Sequence, residues 1–482
     1  MKTEEYTGDF ASIKKLKLHD STRVPGSRMS DHLSGLPDEI LCYILSFMTL
    51  RDSVRARLLS TRWRYLSDYR PALKFDALNV LGSEKAFDKS YESKFVRAVD
   101  QFLDILKGSN LSALKVQFCL GMKQASHIDR WVETGIRMEI KDLELNFSHT
   151  SHDETYVLSD QLFHSLKAFL LKRLRLVHCV LTCSSGCINW ISQLTTLELF
   201  FVPLHEKDIM CVLSGGLNLK SLSLVHCFES SRLCISVELP HLKKLMLYED
   251  LREIELHCPN LETLEYDGRV RNFKFSHVPI LTKVSLSLNF HHRGGSLVFD
   301  SLARHAPMLQ ELSLCVMTEL QPMPGNYAMT CLKRLDIDTH VPSGFDLFTI
   351  TYLLNASPFL EALHLELRLR HYTKQSPRRE YSDFPHLKLK EVKFDGFQSA
   401  CNEMELSRYL LKNAVALQRM VIACRCDCSS SGEAAKKYCS CSSWGQVIAT
   451  TLLQDIKTTA ELVILGVLFN APNLVDNGIS RG

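Results

Sequence analysis

Five of the seventeen cysteines crowd between positions 424 and 441, as Cys424-x-Cys426-x-Cys428 and Cys439-x-Cys441. Thiolates this close are the densest metal-ligand chemistry in the chain, because four soft ligands satisfy a tetrahedral zinc ion. Paired zinc ligands, however, usually stand about two to four residues apart. No histidine lies inside the cluster, which reads as a loop of reduced thiols around Ser429-Ser430-Ser431-Gly432. His291-His292-Arg293-Gly294-Gly295 lacks the preceding strand and the lysine of a phosphate loop, so it reads as a polar turn. Arg368, Arg370, Arg378 and Arg379 make residues 366–380 locally basic, as in a solvated loop or, less commonly, a contact for an acidic target. Other histidines and acids are scattered, with no nucleophile–base pair and no paired carboxylates. These patterns predict a chain with no catalytic residues, no cofactor and no metal.

The elements that carry these groups repeat. Leu-x-x-Leu-x-Leu recurs clearly at Leu171-Leu174-Leu176, Leu194-Leu197-Leu199, Leu219-Leu222-Leu224 and Leu242-Leu245-Leu247. It continues through Leu261-Leu264-Tyr266, Leu281-Val284-Leu286, Leu309-Leu312-Leu314, Leu332-Leu335-Ile337 and Leu360-Leu363-Leu365. Looser copies flank these at Leu111-Leu114-Val116, Ile140-Leu143-Leu145, Leu389-Val392-Phe394 and Leu417-Met420-Ile422. Thirteen copies from Leu111 to Leu417 give a mean step of about 25 residues, inside the range of leucine-rich repeats. Residues two apart share one face of a strand. A single such strand cannot bury that face, so stacked copies form a parallel sheet over a continuous core.

Return segments at 205–213, 297–306, 348–356 and 403–416 carry apolar residues at helical spacing. Pro259, Pro307 and Pro358 then end a unit and start the next. Cys179 and Cys227, three residues after Leu176 and Leu224, occupy the Asn/Cys slot of the repeat, as Asn289 does after Leu286. The two cysteines are therefore read as buried structural thiols.

Length and composition set the outer limits. At 482 residues the chain exceeds one compact core, and 45% apolar with 23% charged residues excludes disorder and a mainly membrane-embedded protein. A net charge of +3 is too balanced for a whole-chain nucleic-acid or membrane-surface binder. The first twenty residues lack the apolar stretch of a secretory signal. The dispersed, odd-numbered cysteines fit a reducing compartment. Cytoplasm or nucleus is expected, and Lys14-Lys15-Leu16-Lys17 reads as solvated charge.

Residues 31–75 do not share the repeat. Leu36-Pro37-Asp38-Glu39 is a helix start, with proline and two carboxylates at the positive end of the dipole. Ile40, Leu41, Ile44, Leu45 and Met48 form a helical apolar stripe, and Thr49-Leu50-Arg51 breaks it. A second helix is expected from Val54 through Leu58 and Leu59, and a third from Ser60-Thr61 through Trp63 and Leu66. About 45 residues build little core alone, so such a unit completes its packing against a partner or a neighbour.

This segment resembles an F-box of the plant type. The resemblance rests on Leu36–Glu39, Ile40-Leu41 with Ile44-Leu45, Asp52–Arg55, and Leu59-Ser60-Thr61-Arg62-Trp63-Arg64; Thr61 stands where the commonest form has Lys. Residues 384–423 resemble the FBD region of plant F-box proteins with leucine-rich repeats. The matching pieces are Phe384–Leu387, Gly396-Phe397, Asn402-Glu403, Tyr409–Ala414 and Leu417–Ile422, read as strand, turn at Asp395-Gly396, amphipathic helix and strand.

The expected fold is α/β: an N-terminal three-helix F-box, then a leucine-rich-repeat solenoid with a curved parallel sheet and helical returns. The expected order is tail 1–29, F-box 30–76, repeats 100–383, FBD-like region 384–465 and tail 466–482. The resemblance implies a substrate-recognition subunit of a Skp–cullin–F-box ubiquitin ligase, itself non-catalytic. Its partners would be a Skp-type adaptor, through it a cullin, and an unknown target protein, with neither nucleic acid nor membrane. Leu36, Pro37, Ile40, Leu41, Ile44, Leu45, Val54, Leu59 and Trp63 are the candidates for binding the adaptor or supporting that surface. The other reading is a repeat scaffold for protein interaction with no ligase role. Seven basic and four acidic residues within 36–75 account for the whole net charge, as would suit an acidic partner.

Overall fold

A computed structural model gives the chain as two compact units, Met1–Leu194 and Thr195–Gly482. It describes residues 35–68, 72–84, 87–105, 111–147, 155–164, 170–182, 187–228, 234–268, 270–288, 294–316, 320, 328–339, 346–368, 384–398, 400–424, 447, 450 and 459–465.

The first unit opens with three helices, α1 (Asp38–Phe47), α2 (Leu50–Ala56) and α3 (Thr61–Asp68). Pro37 precedes α1, and Asp38 and Glu39 sit in its first turn, where negative charge meets the helix dipole favourably. The Thr49 hydroxyl oxygen accepts the Asp52 N–H at 3.1 Å, a cap that starts α2 well ahead of Val54. This corrects the boundaries read from the sequence: Leu50 begins the second helix, and Leu58 and Leu59 stand in the turn beyond it.

The unit continues with β1 (Ala72–Phe75), a π-helical turn at Ala77–Leu81, α4 (Glu92–Ile105), β2 (Ala113–Gln117), α5 (Ala125–Arg137) and β3 (Asp142–Asn146). Next come β4 (Val157–Ser159), α6 (Gln161–His164), β5 (Arg173–Val177), β6 (Val180–Thr182) and α7 (Cys187–Ile191). Strands β1, β2, β3 and β5 run parallel with Leu73, Leu114, Leu143 and Leu174 in register. Helices α4 and α5 bury Phe95, Val99, Phe102, Ile128, Trp131 and Val132, residues repeated at helical spacing. Gly135 allows α5 close to the sheet, since a Cβ there would lie 2.9 Å from Leu114 Cδ2.

The second unit contains β7 (Thr196–Phe200), α8 (Glu206–Gly215), β8 (Ser221–Val225), β9 (Cys234–Glu238), β10 (Lys244–Tyr248), β11 (Leu251–His257), β12 (Thr263–Gly268) and β13 (Val270–His277). There follow β14 (Lys283–Leu288), α9 (Gly294–His305), β15 (Glu311–Val316), β16 (Arg334–Thr339), α10 (Thr351–Asn355) and β17 (Ala362–Leu367). The last are β18 (Glu391–Phe397), α11 (Cys401–Asn413), β19 (Arg419–Cys424) and β20 (Glu461–Leu465). The long parallel ladder places Leu197, Leu222, Leu245, Leu264, Val284, Leu312, Leu335, Leu363, Val392 and Met420 side by side. Each of these is buried and contributes roughly 1.5–3 kcal/mol of apolar burial. Leu462 of β20, half-buried, extends the row beyond the last copy read in the sequence.

All four expected return helices form, as α8, α9, α11, and a 3-10 turn at Leu347–Ile350 running into α10. The turn before each rung recurs: the Leu261, Leu309 and Leu360 N–H groups donate to the carbonyls of Cys258, Ala306 and Ser357. Pro259, Pro307 and Pro358 occupy the second turn position, where φ suits proline and no N–H is needed.

Three return segments are strands instead. β9, β11 and β13 form their own parallel sheet, with Ile254, Leu256, Phe273 and Phe275 facing inward. Chain length accounts for β11 and β13. The steps from Leu245 to Leu264 and from Leu264 to Val284 are the shortest in the ladder, whereas the step from Val284 to Leu312 is long enough to hold α9.

Two local readings are corrected. Gly396 lies within β18 at a bulge, not at a turn. Its φ is +81°, and a Cβ would meet the Leu367 carbonyl oxygen at 2.3 Å, so glycine lets the strand continue to buried Phe397. Gly294 and Gly295, read as part of a polar turn, begin α9. His291, His292 and Asn289 lie outside the described residues.

Candidate functional site

The three N-terminal helices sort the nine candidate residues. Leu41, Leu45 and Trp63 are the core of the bundle with Ala56 and Leu66, and Leu36 and Ile44 pack partly buried against it. Val54 is half-buried, whereas Pro37, Ile40 and Leu59 are exposed, Leu59 by 70%. Tyr43 (65%), Phe47 (72%), Leu58 and Tyr65 are exposed too, and the sequence reading does not select them. Tyr43 and Phe47 meet edge-on with ring centroids 4.7 Å apart. Their signal is present in the sequence: Ile40, Tyr43 and Phe47 follow i, i+3, i+7 spacing, a second stripe beside Leu41 and Leu45. So much exposed aromatic and aliphatic surface on so few residues is characteristic of a docking face.

Polar ties position these helices. Arg62 donates to Asp38 Oδ1 at 2.8 Å and to the Leu36 carbonyl at 2.5 Å, joining the start of α1 to α3. Arg51 Nη1 donates to the Leu81 carbonyl at 3.1 Å, which fastens α2 to the turn after β1. Gly82 follows with φ +83°, a left-handed position that suits glycine.

In the second unit, the strand face opposite the leucines holds charged residues. Arg334 pairs with Asp336, Lys393 with Asp395, and Arg368 with Asp338 and Glu366. His364 lies between two carboxylates, 3.7 Å from Asp336 and 2.6 Å from Asp395. Both carboxylates raise its pKa to about 9, so this imidazole is cationic at neutral pH. Four carboxylates are thus matched by four cations. Arg370, Arg378 and Arg379 lie outside the described residues.

The repeat-slot cysteines are structural. Cys179 and Cys227 are buried, and their thiols donate to the Val177 and Leu199 carbonyls at 3.5 and 3.3 Å. Burial pushes the Cys227 pKa up to about 12 and that of Cys179 higher still, which removes thiolate chemistry. Cys211, unlike these two, is disulfide-bonded. Of the C-terminal cluster, Cys424 closes β19, and Cys426, Cys428, Cys439 and Cys441 lie outside the described residues. Among the described residues no group of three or more His, Cys, Asp or Glu is placed to hold a metal ion. No described helix is long and apolar enough to cross a membrane.

Three helices with a spare apolar face, followed by stacked leucine rungs, define an F-box protein with leucine-rich repeats. Residues 33–74 match the F-box domain, and residues 103–458 match the leucine-rich-repeat domain described for At1g61320/AtMIF1. The chain belongs to the plant F-box/FBD/LRR-repeat family. It is 25% identical to the F-box/FBD/LRR-repeat protein At5g56420 of Arabidopsis thaliana, over 82% of this chain and 91% of that one. The F-box/FBD/LRR-repeat protein At4g26340 of Arabidopsis thaliana is also 25% identical, over 80% and 91% of the two chains. Among solved structures, the TLR13–ssRNA13 complex resembles it with a TM-score of 0.38 and 16% identity, over 68% of this chain and 52% of that one.

Proposed function

We propose that this chain is the substrate-recognition subunit of a Skp–cullin–F-box ubiquitin ligase and acts without catalysing a step itself. The observation that carries the reading is the division within the F-box helices. Leu41, Leu45 and Trp63 satisfy the internal core, while Ile40, Tyr43, Phe47, Leu58 and Leu59 keep their apolar area for a partner. Residues 30–76 would dock a Skp-type adaptor and, through it, a cullin. The repeats of 100–383 and their continuation through 384–465 would hold the target protein. Leu36, Pro37, Ile40, Leu59, Phe47 and Tyr43 would touch the adaptor, with Leu41, Ile44, Leu45, Val54 and Trp63 supporting them. The contribution to ubiquitin transfer is proximity, which raises the effective concentration of target lysines near a charged enzyme held elsewhere. The assembly would work in cytoplasm or nucleus.

Co-purification of the full chain with a Skp-type adaptor tests the docking step. Wild type is expected to retain the adaptor. Phe47→Ala combined with Leu59→Ala is expected to release it while the circular dichroism of the repeats stays unchanged. A wild-type chain that captures no Skp-type adaptor overturns the ligase reading and leaves an interaction scaffold.

A further inference from the structure

The smaller sheet of the second unit brings together two histidines from successive return strands. His257 ends β11 and His277 ends β13, and the two strands are adjacent and parallel. Up to Leu256 and Phe275 the register is regular; then Ser276 is the extra residue of a bulge, so that His277 stands opposite His257. Bulges re-aim side chains in this way. Both imidazoles are exposed, with ring centroids 5.4 Å apart and planes inclined by 34°. Neither ring lies flat on the other.

That separation matches a chelate. With metal–nitrogen bonds of about 2.0–2.1 Å, two imidazoles on one tetrahedral ion have centroids roughly 5 Å apart. Two carboxylates lie on the same strand. Glu255, two residues before His257 and on the same side of β11, accepts a hydrogen bond from the Ser276 hydroxyl at 2.5 Å. Glu253 pairs with Lys274 at 2.8 Å. Negative charge therefore stands close to the pair, and it is engaged within the protein.

We propose that His257 and His277 bind one divalent transition-metal ion of the zinc, nickel or copper class, with water filling the remaining positions. The ion would clip β11 to β13. Two imidazoles select such borderline ions over calcium or magnesium, which require oxygen ligands. The site lies on the smaller sheet of the second unit.

Diethyl pyrocarbonate footprinting of the full chain, with exposed thiols alkylated beforehand, tests the pair. Carbethoxylation is read at each histidine by mass spectrometry with and without Ni²⁺ or Zn²⁺, and exposed His226 and His241 serve as internal references. The metal is expected to slow modification of His257 and His277 severalfold and to leave the references unchanged. In His277→Asn the protection of His257 is expected to vanish, and in His257→Asn that of His277. Both positions are exposed, so unchanged circular dichroism identifies folded variants. Equal modification of all four histidines with metal overturns the proposal. So does His257 protection that survives His277→Asn, because a single imidazole would then account for it.

Discussion

The two surfaces offered for partners are built on opposite terms. On the F-box helices the exposed side chains are Ile40, Tyr43, Phe47, Leu58 and Leu59, which gain by leaving water. On the strand face of β16, β17 and β18 the side chains are largely charged and pair with one another: Asp336, Asp338, Glu366 and Asp395 against Arg334, His364, Arg368 and Lys393. The apolar face invites one constant partner through burial. The polar face is self-neutralised, so a target gains there only by matching the layout of its charges, since breaking a pair leaves an uncompensated group. Under the proposed function, the first surface would supply affinity and the second discrimination.

The comparison can be broken at four points. Leu41→Ala removes a fully buried side chain beneath the docking face and is expected to cost about 2–5 kcal/mol, abolishing adaptor capture by melting the helices. Hydrogen exchange that speeds across α1 to α3 and stays unchanged across β14 to β19 checks it. Phe47→Ala is expected to lower adaptor affinity by about 2 kcal/mol while folding stability moves by less than about 0.5 kcal/mol, read by calorimetry and urea titration. Equal losses in both would make Phe47 core rather than surface. Thr49→Ala removes the α2 cap and is expected to cost about 1 kcal/mol, seen as a lower melting temperature with adaptor binding kept.

The smallest effect concerns the charged face. The His364 proton leaves near pH 6.5 in the unfolded chain and near 9 in the folded one. Its stabilisation is therefore complete below pH 6.5 and declines as pH rises towards 9. Partial solvent access keeps the change below about 1 kcal/mol. His364→Gln is expected to flatten the thermal-stability profile between pH 6.5 and 9 relative to wild type. A profile unchanged by the substitution would remove His364 from the network.

Much of the fold is legible in the residues because its forces are periodic. Each second leucine of the repeats forms a rung of the ladder, in the register their spacing implies. Helical returns are readable where the rungs stand far apart in the chain, as between Val284 and Leu312. The β9–β11–β13 sheet is not, because short alternating runs such as Ile254-x-Leu256 and Phe273-x-Phe275 are strands only once a neighbour pairs them. Strand β20 escapes because Leu462 and Ile464 show only part of the repeat. On the candidate site, the F-box motif marks the right helices, but core and surface leucines look alike in a stripe. The start of α2 differs from the expected one because the Thr49 cap outweighs the pattern from Val54.

By itself the sequence determined the class of fold, the order of F-box and repeats, the register of the rungs and the structural role of Cys179 and Cys227. Each follows from local spacing and from the need of an apolar face to be buried. Only the tertiary structure decided which F-box residues point outward, that Gly396 carries a bulge rather than a turn, that four cations neutralise four carboxylates, and that His277 stands beside His257. Those outcomes depend on groups distant in the chain meeting across strands and helices, where one extra residue such as Ser276 changes which side chains face each other.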